Sequence, residues 1–147
     1  MSTLKTGTVQ NNTGTGAPLF KNNAGTEIGQ LAKAWVTFDG SFGTSPFTED
    51  NGGVRDSFNV TSVTDNGTGD YTINFTNSFA NNDYALVTNQ RLDTNGGAPN
   101  IVHTGNEHDD NTTTSAKIVC GTGNQNAAGN SGSASDCTSI HVVVFGD

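Results

Sequence analysis

Large apolar side chains alternate with polar ones in short runs along this chain. Between residues 70 and 76 every second residue is large and apolar, and the same period occurs at Phe58 and Val60, before the turn Asp65-Asn66-Gly67. A period of two is typical of a half-buried β-strand. Asn-Gly tolerates the positive φ angles of a tight hairpin turn. The pattern therefore predicts that the two runs pair as an antiparallel hairpin.

The same reading predicts about seven short strands in the chain, at residues 32–38, 54–64, 70–76, 83–89, 100–104, 114–120 and 138–145. No segment has the apolar periodicity of a long helix, so a βαβ arrangement is disfavoured. With 147 residues, of which 31% are hydrophobic, the chain can bury one core. We expect an all-β fold, an antiparallel β-sandwich or jelly-roll-like domain, over residues 32–147.

Residues 1–31 differ from the rest because they contain few large apolar groups. Alone they cannot bury enough surface to fold, so we expect an extended N-terminal arm that is ordered by contact. Another copy, another protein or its own domain could provide that contact. Asn22-Asn23-Ala24-Gly25 predicts a small hairpin within the arm. The apolar residues available for attachment are Leu4, Val9, Leu19, Phe20 and Ile28.

The charge balance excludes some partners. Fourteen acidic and six basic residues give a net charge of −8, and the basic residues are scattered. A phosphate backbone would be repelled, so we expect no nucleic-acid binding. No apolar run is long enough to cross a bilayer, and the first residues lack an apolar signal-peptide core. We therefore expect neither membrane insertion nor export by a secretory signal.

Catalytic motifs were sought in the sequence. It contains neither the serine elbow of hydrolases, nor the zinc-binding H-E-x-x-H motif, nor a phosphate-binding P-loop. The best metal-ligand cluster lies in one loop, at His103, Glu107, His108, Asp109 and Asp110. Imidazole with carboxylates suits a transition metal. A solvated acidic loop is the favoured interpretation because no fixed ligand spacing is met, so we expect no metal and no cofactor.

Two cysteines, Cys120 and Cys137, flank a small polar stretch at residues 121–136, which predicts a flexible loop. A disulfide there would fasten the base of a hairpin, and oxidation after release from a cell would form it. Two free thiols in a reducing cytosol are the alternative.

Most aromatic side chains are needed for the core, because a chain this polar has few other bulky groups. Phe42 and Phe47 lie in a predicted loop and are the candidates for exposed aromatics that stack on a sugar.

Three stretches resemble a domain found in structural proteins of tailed phages, especially cyanophages, that are often described as tail fibres. They are AWVTFDG at 34–40, RDSFNVTSVTDNGTGDYTINFT at 55–76 and IHVVVFGD at 140–147. The opening residues 1–10 and 18–29 resemble the start of the same proteins. The stretch SFGTSPFTEDNGGV at 41–54 departs from the pattern, since it is longer than the short turn expected there. The family supplies no catalytic residues.

This resemblance implies a virion protein that is assembled in the host cytoplasm and becomes extracellular after lysis. We expect no enzymatic activity, a homotrimer, and contact with major capsid or tail proteins. The sequence lacks heptads and shaft-forming repeats, which favours a capsid decoration, or cement, protein fixed by its arm. The alternative is a short tail fibre or baseplate appendage that binds a host surface glycan through loops 40–53, 91–113 and 121–136. A small polysaccharide-degrading enzyme is a third hypothesis, for which no acid pair can be defined.

Overall fold

The computed structural model describes residues 20–91, 101–106, 110–123 and 133–146, and the account below concerns these residues. Eleven strands occur in this part of the chain: β1 (Phe20–Lys21), β2 (Glu27–Gly29), β3 (Ala34–Phe38), β4 (Val54–Phe58), β5 (Val60–Gly67), β6 (Asp70–Phe75), β7 (Ala85–Arg91), β8 (Ile101–Asn106), β9 (Ser115–Gly123), β10 (Ser133–Ala134) and β11 (Ser139–Phe145). None of the described residues lies in an α-helix.

Two antiparallel sheets form the domain. One has the strand order β4-β3-β11-β7. The other has the order β8-β9-β6-β5, and β10 also pairs with β9, at Gly121 and Thr122. The all-β prediction is confirmed, and two sheets around one core are consistent with a β-sandwich. The jelly-roll variant stays a prediction.

The core lies between the sheets because alternate residues of each strand point inward. The first sheet contributes Ala34, Val36 and Phe38 from β3 and Ile140, Val142 and Val144 from β11, all at most 1% exposed. The second sheet contributes Val63, Tyr71, Ile73, Ala116 and Ile118, all fully buried. A second aromatic group, Phe75, Phe79 and Tyr84, continues this core, with ring centroids 4.7–5.7 Å apart.

The predicted strand 54–64 is wrong as a single element, because β4 and β5 belong to different sheets. The chain crosses between the sheets at Asn59, which has a φ of 57°. This left-handed conformation breaks an extended strand, and asparagine tolerates it better than most residues do. Phe58 accordingly pairs with Trp35 of β3 and takes no part in the β5–β6 hairpin. That hairpin itself is confirmed, with Val60 opposite Phe75 and Gly67 opposite Asp70.

The small N-terminal hairpin is also confirmed, since β1 pairs antiparallel with β2. The Asn22 side-chain oxygen accepts hydrogen bonds from the backbone N–H groups of Ala24 and Thr26, each at 3.0 Å. Gly25 provides the positive φ of the turn, at 81°. Every residue from 20 to 31 is exposed. Residues 1–19, including Leu4, Val9 and Leu19, lie outside the described part of the chain, and the role of the arm stays a prediction.

Candidate functional site

The most unusual surface of the domain is the outer face of the β4-β3-β11-β7 sheet. The strand registers place Phe58 opposite Trp35, Trp35 opposite Val143, and Val143 opposite Val87. These four side chains, here called the apolar row, cross all four strands on the side away from the core. Because neighbouring strands lie about 4.8 Å apart, the row is roughly 14 Å long.

The apolar row is open at both ends. Phe58 is 55% exposed and Val87 is 57% exposed, while Trp35 and Val143 between them are half-buried. Isolated apolar groups are common on protein surfaces, whereas a contiguous row that includes a tryptophan marks a binding surface. We therefore take this face as the candidate functional site.

A polar network lies on the same face, next to the apolar row. His141 Nδ1 is 3.0 Å from Thr37 Oγ1, and its Nε2 is 3.1 Å from Ser139 Oγ. Arg55 donates to Ser139 Oγ at 3.0 Å and pairs with Asp39 at 3.2 Å. Both ring nitrogens of His141 are therefore occupied by hydroxyl groups.

The distance between Ser139 Oγ and His141 Nε2 is one at which a histidine could act as the base for a serine nucleophile. In a hydrolytic triad, a carboxylate orients the histidine. Here a hydroxyl, that of Thr37, takes that place. His141 is also exposed on a sheet face, where water has free access. The network can form hydrogen bonds to a partner, and its geometry does not define a catalytic centre.

The N-terminal hairpin provides a second uncovered apolar surface. Lys21 pairs with Glu27 on one face of the hairpin, and strand alternation puts Phe20 and Ile28 on the other. Phe20 is 44% exposed, Ile28 67% and the following Leu31 55%. The hairpin is therefore amphipathic, and nothing in the described residues covers its apolar side.

The loop aromatics lie in different places from those the sequence predicts. Phe47 is fully buried, so its assignment as a receptor-facing aromatic is wrong. Its backbone forms two hydrogen bonds with Val63 of β5, at 2.7 and 2.9 Å, which hold the loop 40–53 against the second sheet. Phe42 is half-buried and packs edge-on against Phe47, with centroids 5.8 Å apart. The extra length of this loop therefore adds to the core.

Cys120 and Cys137 are both buried, and no disulfide joins them in the structure. Burial, chiefly, and the neighbouring Asp136 raise the pKa of the Cys137 thiol, and a hydrogen bond with Cys120 partly opposes that shift. The two side chains are thus adjacent, and the disulfide stays a prediction. At its ends the stretch 121–136 forms strands, since β9 extends to Gly123 and pairs with β10, and residues 124–132 lie outside the described part of the chain.

The proposed metal ligands are only partly described. Glu107, His108 and Asp109 lie outside the described residues, and His103 lies on β8. Asp110 is exposed and forms an ion pair with Lys117 at 3.2 Å. Within the described ranges no three histidine, cysteine or acidic residues are grouped to hold a metal ion. The same part of the chain contains no helix that is long and apolar enough to cross a membrane.

A buried hydrogen-bond cluster joins the loop after β3 to the segment before β11. The Tyr71 hydroxyl lies 2.9 Å from the Gly40 carbonyl oxygen and 2.8 Å from Asp136 Oδ1. Asp136 Oδ1 also accepts from the Gly69 N–H at 2.7 Å. Burial first, and then the hydrogen bond and charge of Asp136, raise the pKa of Tyr71 well above its usual value of 10.0. Burial also raises the pKa of Tyr84, to about 12.

These shifts predict that the domain loses stability in alkali. A raised pKa in the folded state gives stability that is complete below the unfolded pKa of 10.0 and is lost as pH rises above it. Each buried tyrosine adds up to about 1.4 kcal/mol of loss per pH unit.

Tyr71→Phe should lower the free energy of unfolding at pH 8 by about 2 kcal/mol, because the Gly40 carbonyl loses its donor. The variant should also show a shallower decline between pH 10 and 12. Urea unfolding across this range measures both effects, and an unchanged slope would contradict the assignment.

The sequence prediction missed the apolar row. Trp35 and Phe58 belong to the aromatic set of which most members were predicted to be in the core, because large apolar residues are normally buried. One signal was available. Ala34-Trp35-Val36 and Val142-Val143-Val144 are apolar at consecutive positions, so both faces of β3 and β11 carry apolar groups. A strand of that kind indicates that its second face is also covered by something.

Comparison of the chain with protein-family models, with curated proteins and with solved structures finds no match.

Proposed function

We propose that this protein is a non-enzymatic structural component of a tailed-phage virion, a capsid decoration protein attached through its N-terminal arm, residues 1–31. The observation that carries the proposal is the amphipathic hairpin, whose apolar residues Phe20 and Ile28 are exposed although the domain beside it has a complete core. Exposed apolar groups on an ordered hairpin are suited to binding another protein.

The resemblance of residues 34–40 and 55–76 to phage structural proteins supports the same proposal. A decoration protein holds several shell subunits at once, and each arm adds burial that only the assembled shell provides. The surface chemistry agrees with a binding role, since the apolar row is a second place at which a protein can dock.

A short tail fibre that binds a host glycan is the second candidate. One observation favours it: Trp35 and Phe58 lie beside Asp56 and His141 on an open sheet face. A pyranose ring stacks its apolar side on aromatic groups and bonds its hydroxyls to polar neighbours. Phe47 does not support this candidate, because it is buried.

Purified particles of the phage that encodes this chain test the proposal. We expect hundreds of copies per particle by quantitative mass spectrometry, and density for the domain on the shell in an image reconstruction. A handful of copies at the tail would favour the glycan-binding candidate. Absence of the chain from purified particles would refute both.

The arm can be tested separately. Deletion of residues 1–31 should leave the domain folded, because the core begins at Ala34, and should abolish binding to particles. Co-sedimentation with particles that lack the protein measures this binding. The full-length variant Asn89→Asp, which changes one exposed residue outside the arm, is the control and should bind normally. Retained binding by the deleted chain would contradict the role of the arm.

A further inference from the structure

We propose that the apolar row of one copy receives the N-terminal hairpin of a second copy, so that the protein associates by exchanging hairpins. The occupant is the apolar side of the hairpin, formed by Phe20 and Ile28, with Leu31 beside it. This inference deepens the proposed function, on which it rests only for the place where the assembly acts: the hairpin joins neighbouring copies, and residues 1–19 of the arm remain to contact the shell.

The two surfaces are both apolar, and both are uncovered. The apolar row and the hairpin are the two places where the described residues expose large hydrophobic side chains: Phe58 and Val87 on the sheet, and Phe20, Ile28 and Leu31 on or beside the hairpin. Within one copy the hairpin residues are all exposed while Phe58 and Val87 also remain exposed. Each copy therefore has two uncovered apolar surfaces, the row and the hairpin, and within one copy these surfaces do not pack against each other.

The charge distribution disfavours direct contact between two domains. Residues 1–31 contain two basic residues and one acidic residue, a net charge of +1, whereas residues 32–147 contain four basic and thirteen acidic residues, a net charge of −9. Association of two domains directly would bring two strongly acidic bodies together. The hairpin itself, residues 20–29, contains Lys21 and Glu27 and is neutral, so a contact made through it adds no further charge repulsion.

The contact joins two different surfaces, and this decides the kind of assembly. The hairpin of one copy and the sheet face of the next are different surfaces, so the interface is heterologous and closes into a ring when the rotation allows. Reciprocal exchange between two copies closes a dimer, and exchange around three copies closes a trimer. The sole tryptophan of the chain, Trp35, lies in the receiving row and becomes buried when the hairpin docks.

The experiment uses the purified full-length chain, in the absence of any particle. Sedimentation velocity across a range of concentrations gives the mass, and Trp35 fluorescence reports whether the row is covered. We expect the wild type to assemble at high concentration, and on dilution to fall to the 15.2 kDa monomer while its emission shifts to the red. Ile28→Asp and Val87→Asp should each weaken association by about 30-fold or more, as loss of a central apolar contact does.

Two matched variants control for the added charge. Asn23→Asp lies in the hairpin turn, and Asn89→Asp lies on β7 two residues from Val87, on the same outer face. Both should assemble as the wild type does. Circular dichroism confirms that each variant is folded. Should Val87→Asp fail to fold, Ile28→Asp still tests the proposal, because Ile28 lies outside the core.

Mixing the two defective variants gives the sharpest test. Ile28→Asp retains an intact row and Val87→Asp retains an intact hairpin, so an equimolar mixture should form a heterodimer although neither variant associates alone. Absence of the heterodimer would overturn the exchange. A wild type that stays monomeric at all concentrations would overturn it as well, and an Ile28→Asp variant that assembles normally would show that another surface is used.

These outcomes are separate from those of the proposed function. Hairpin exchange in solution by a chain that is absent from particles would refute the virion role alone. A chain that is found on the shell but never associates in solution would refute the exchange alone.

Discussion

Replacing Phe47 by alanine is expected to lower the free energy of unfolding by about 4 kcal/mol, because a fully buried aromatic ring is lost and a cavity remains. Phe47 is 0% exposed. Its ring centroid lies 6.2 Å from that of Phe38, 6.2 Å from that of Tyr71 and 5.8 Å from that of Phe42. These three neighbours belong to the two sheets and to the loop itself, so the cavity would open at the point where all of them meet.

Equilibrium unfolding in urea measures this loss. The matched variant Phe47→Leu keeps an apolar group in the site and should be less destabilising. Phe42→Ala, at a half-buried position against the same ring, should also cost less than Phe47→Ala. A loss below about 1 kcal/mol for Phe47→Ala would mean that the loop 40–53 does not hold its aromatic group in the core.

The second large effect is expected at Asn59, where the chain crosses from one sheet to the other. Its side-chain nitrogen donates to the carbonyl oxygens of Lys33, at 3.0 Å, and Asn77, at 3.1 Å. Its side-chain oxygen accepts from the backbone N–H of Asn77 at 2.7 Å. Asn59→Ala removes these bonds and places alanine at a φ of 57°. We expect a loss of about 4 kcal/mol, from roughly 1 kcal/mol of backbone strain and about 1 kcal/mol for each of the three hydrogen bonds.

Two further substitutions at Asn59 separate the causes. Asn59→Gly relieves the backbone strain but not the lost bonds, so it should be less destabilising than Asn59→Ala. Asn59→Asp keeps the acceptor oxygen and loses the donor. Thermal unfolding monitored by circular dichroism ranks the three variants. Equal losses for alanine and glycine would show that the left-handed conformation costs little here.

Much of the fold could be predicted from local pattern. Tyr71, Ile73 and Phe75 are buried as their alternation indicates. The turn lies two residues later than predicted, at Thr68-Gly69, because Asp65, Asn66 and Gly67 belong to the end of β5. Period and turn chemistry act over a few residues, so a single sequence records them. The hairpin around Asn22 was predictable for the same reason, since the side chain of this asparagine stabilises its own turn.

The crossing at Asn59 was not predictable in the same way. Phe58 and Val60 alternate with polar residues across this point, and one residue with positive φ sends the two halves to different sheets. Its stabilising partners, Lys33 and Asn77, are 26 and 18 residues away in the sequence. Local alternation carries no information about such distant contacts.

The candidate site could be predicted even less. Phe58, Trp35, Val143 and Val87 come from four strands, and only the strand order brings them into one row. Phe47, by contrast, lies in a loop by its sequence context and is buried because the long loop folds back on Val63. Exposure depends on such long-range pairing, so the sequence alone assigned the aromatic groups to the wrong sides.

The fixed position of Lys33 limits how far the hairpin can extend from its own domain in an assembly. Its backbone N–H bonds to the Val144 carbonyl at 2.9 Å, its carbonyl accepts from Asn59 at 3.0 Å, and its ammonium group lies 5.0 Å from the centre of the Phe79 ring. The domain therefore holds this residue firmly, and residues 30–32 alone connect it to the hairpin. Such a tether spans at most about 14 Å from Gly29 to Lys33. In an oligomer built by hairpin exchange, tether length would thus limit the spacing between neighbours, and with it the number of subunits that close the ring.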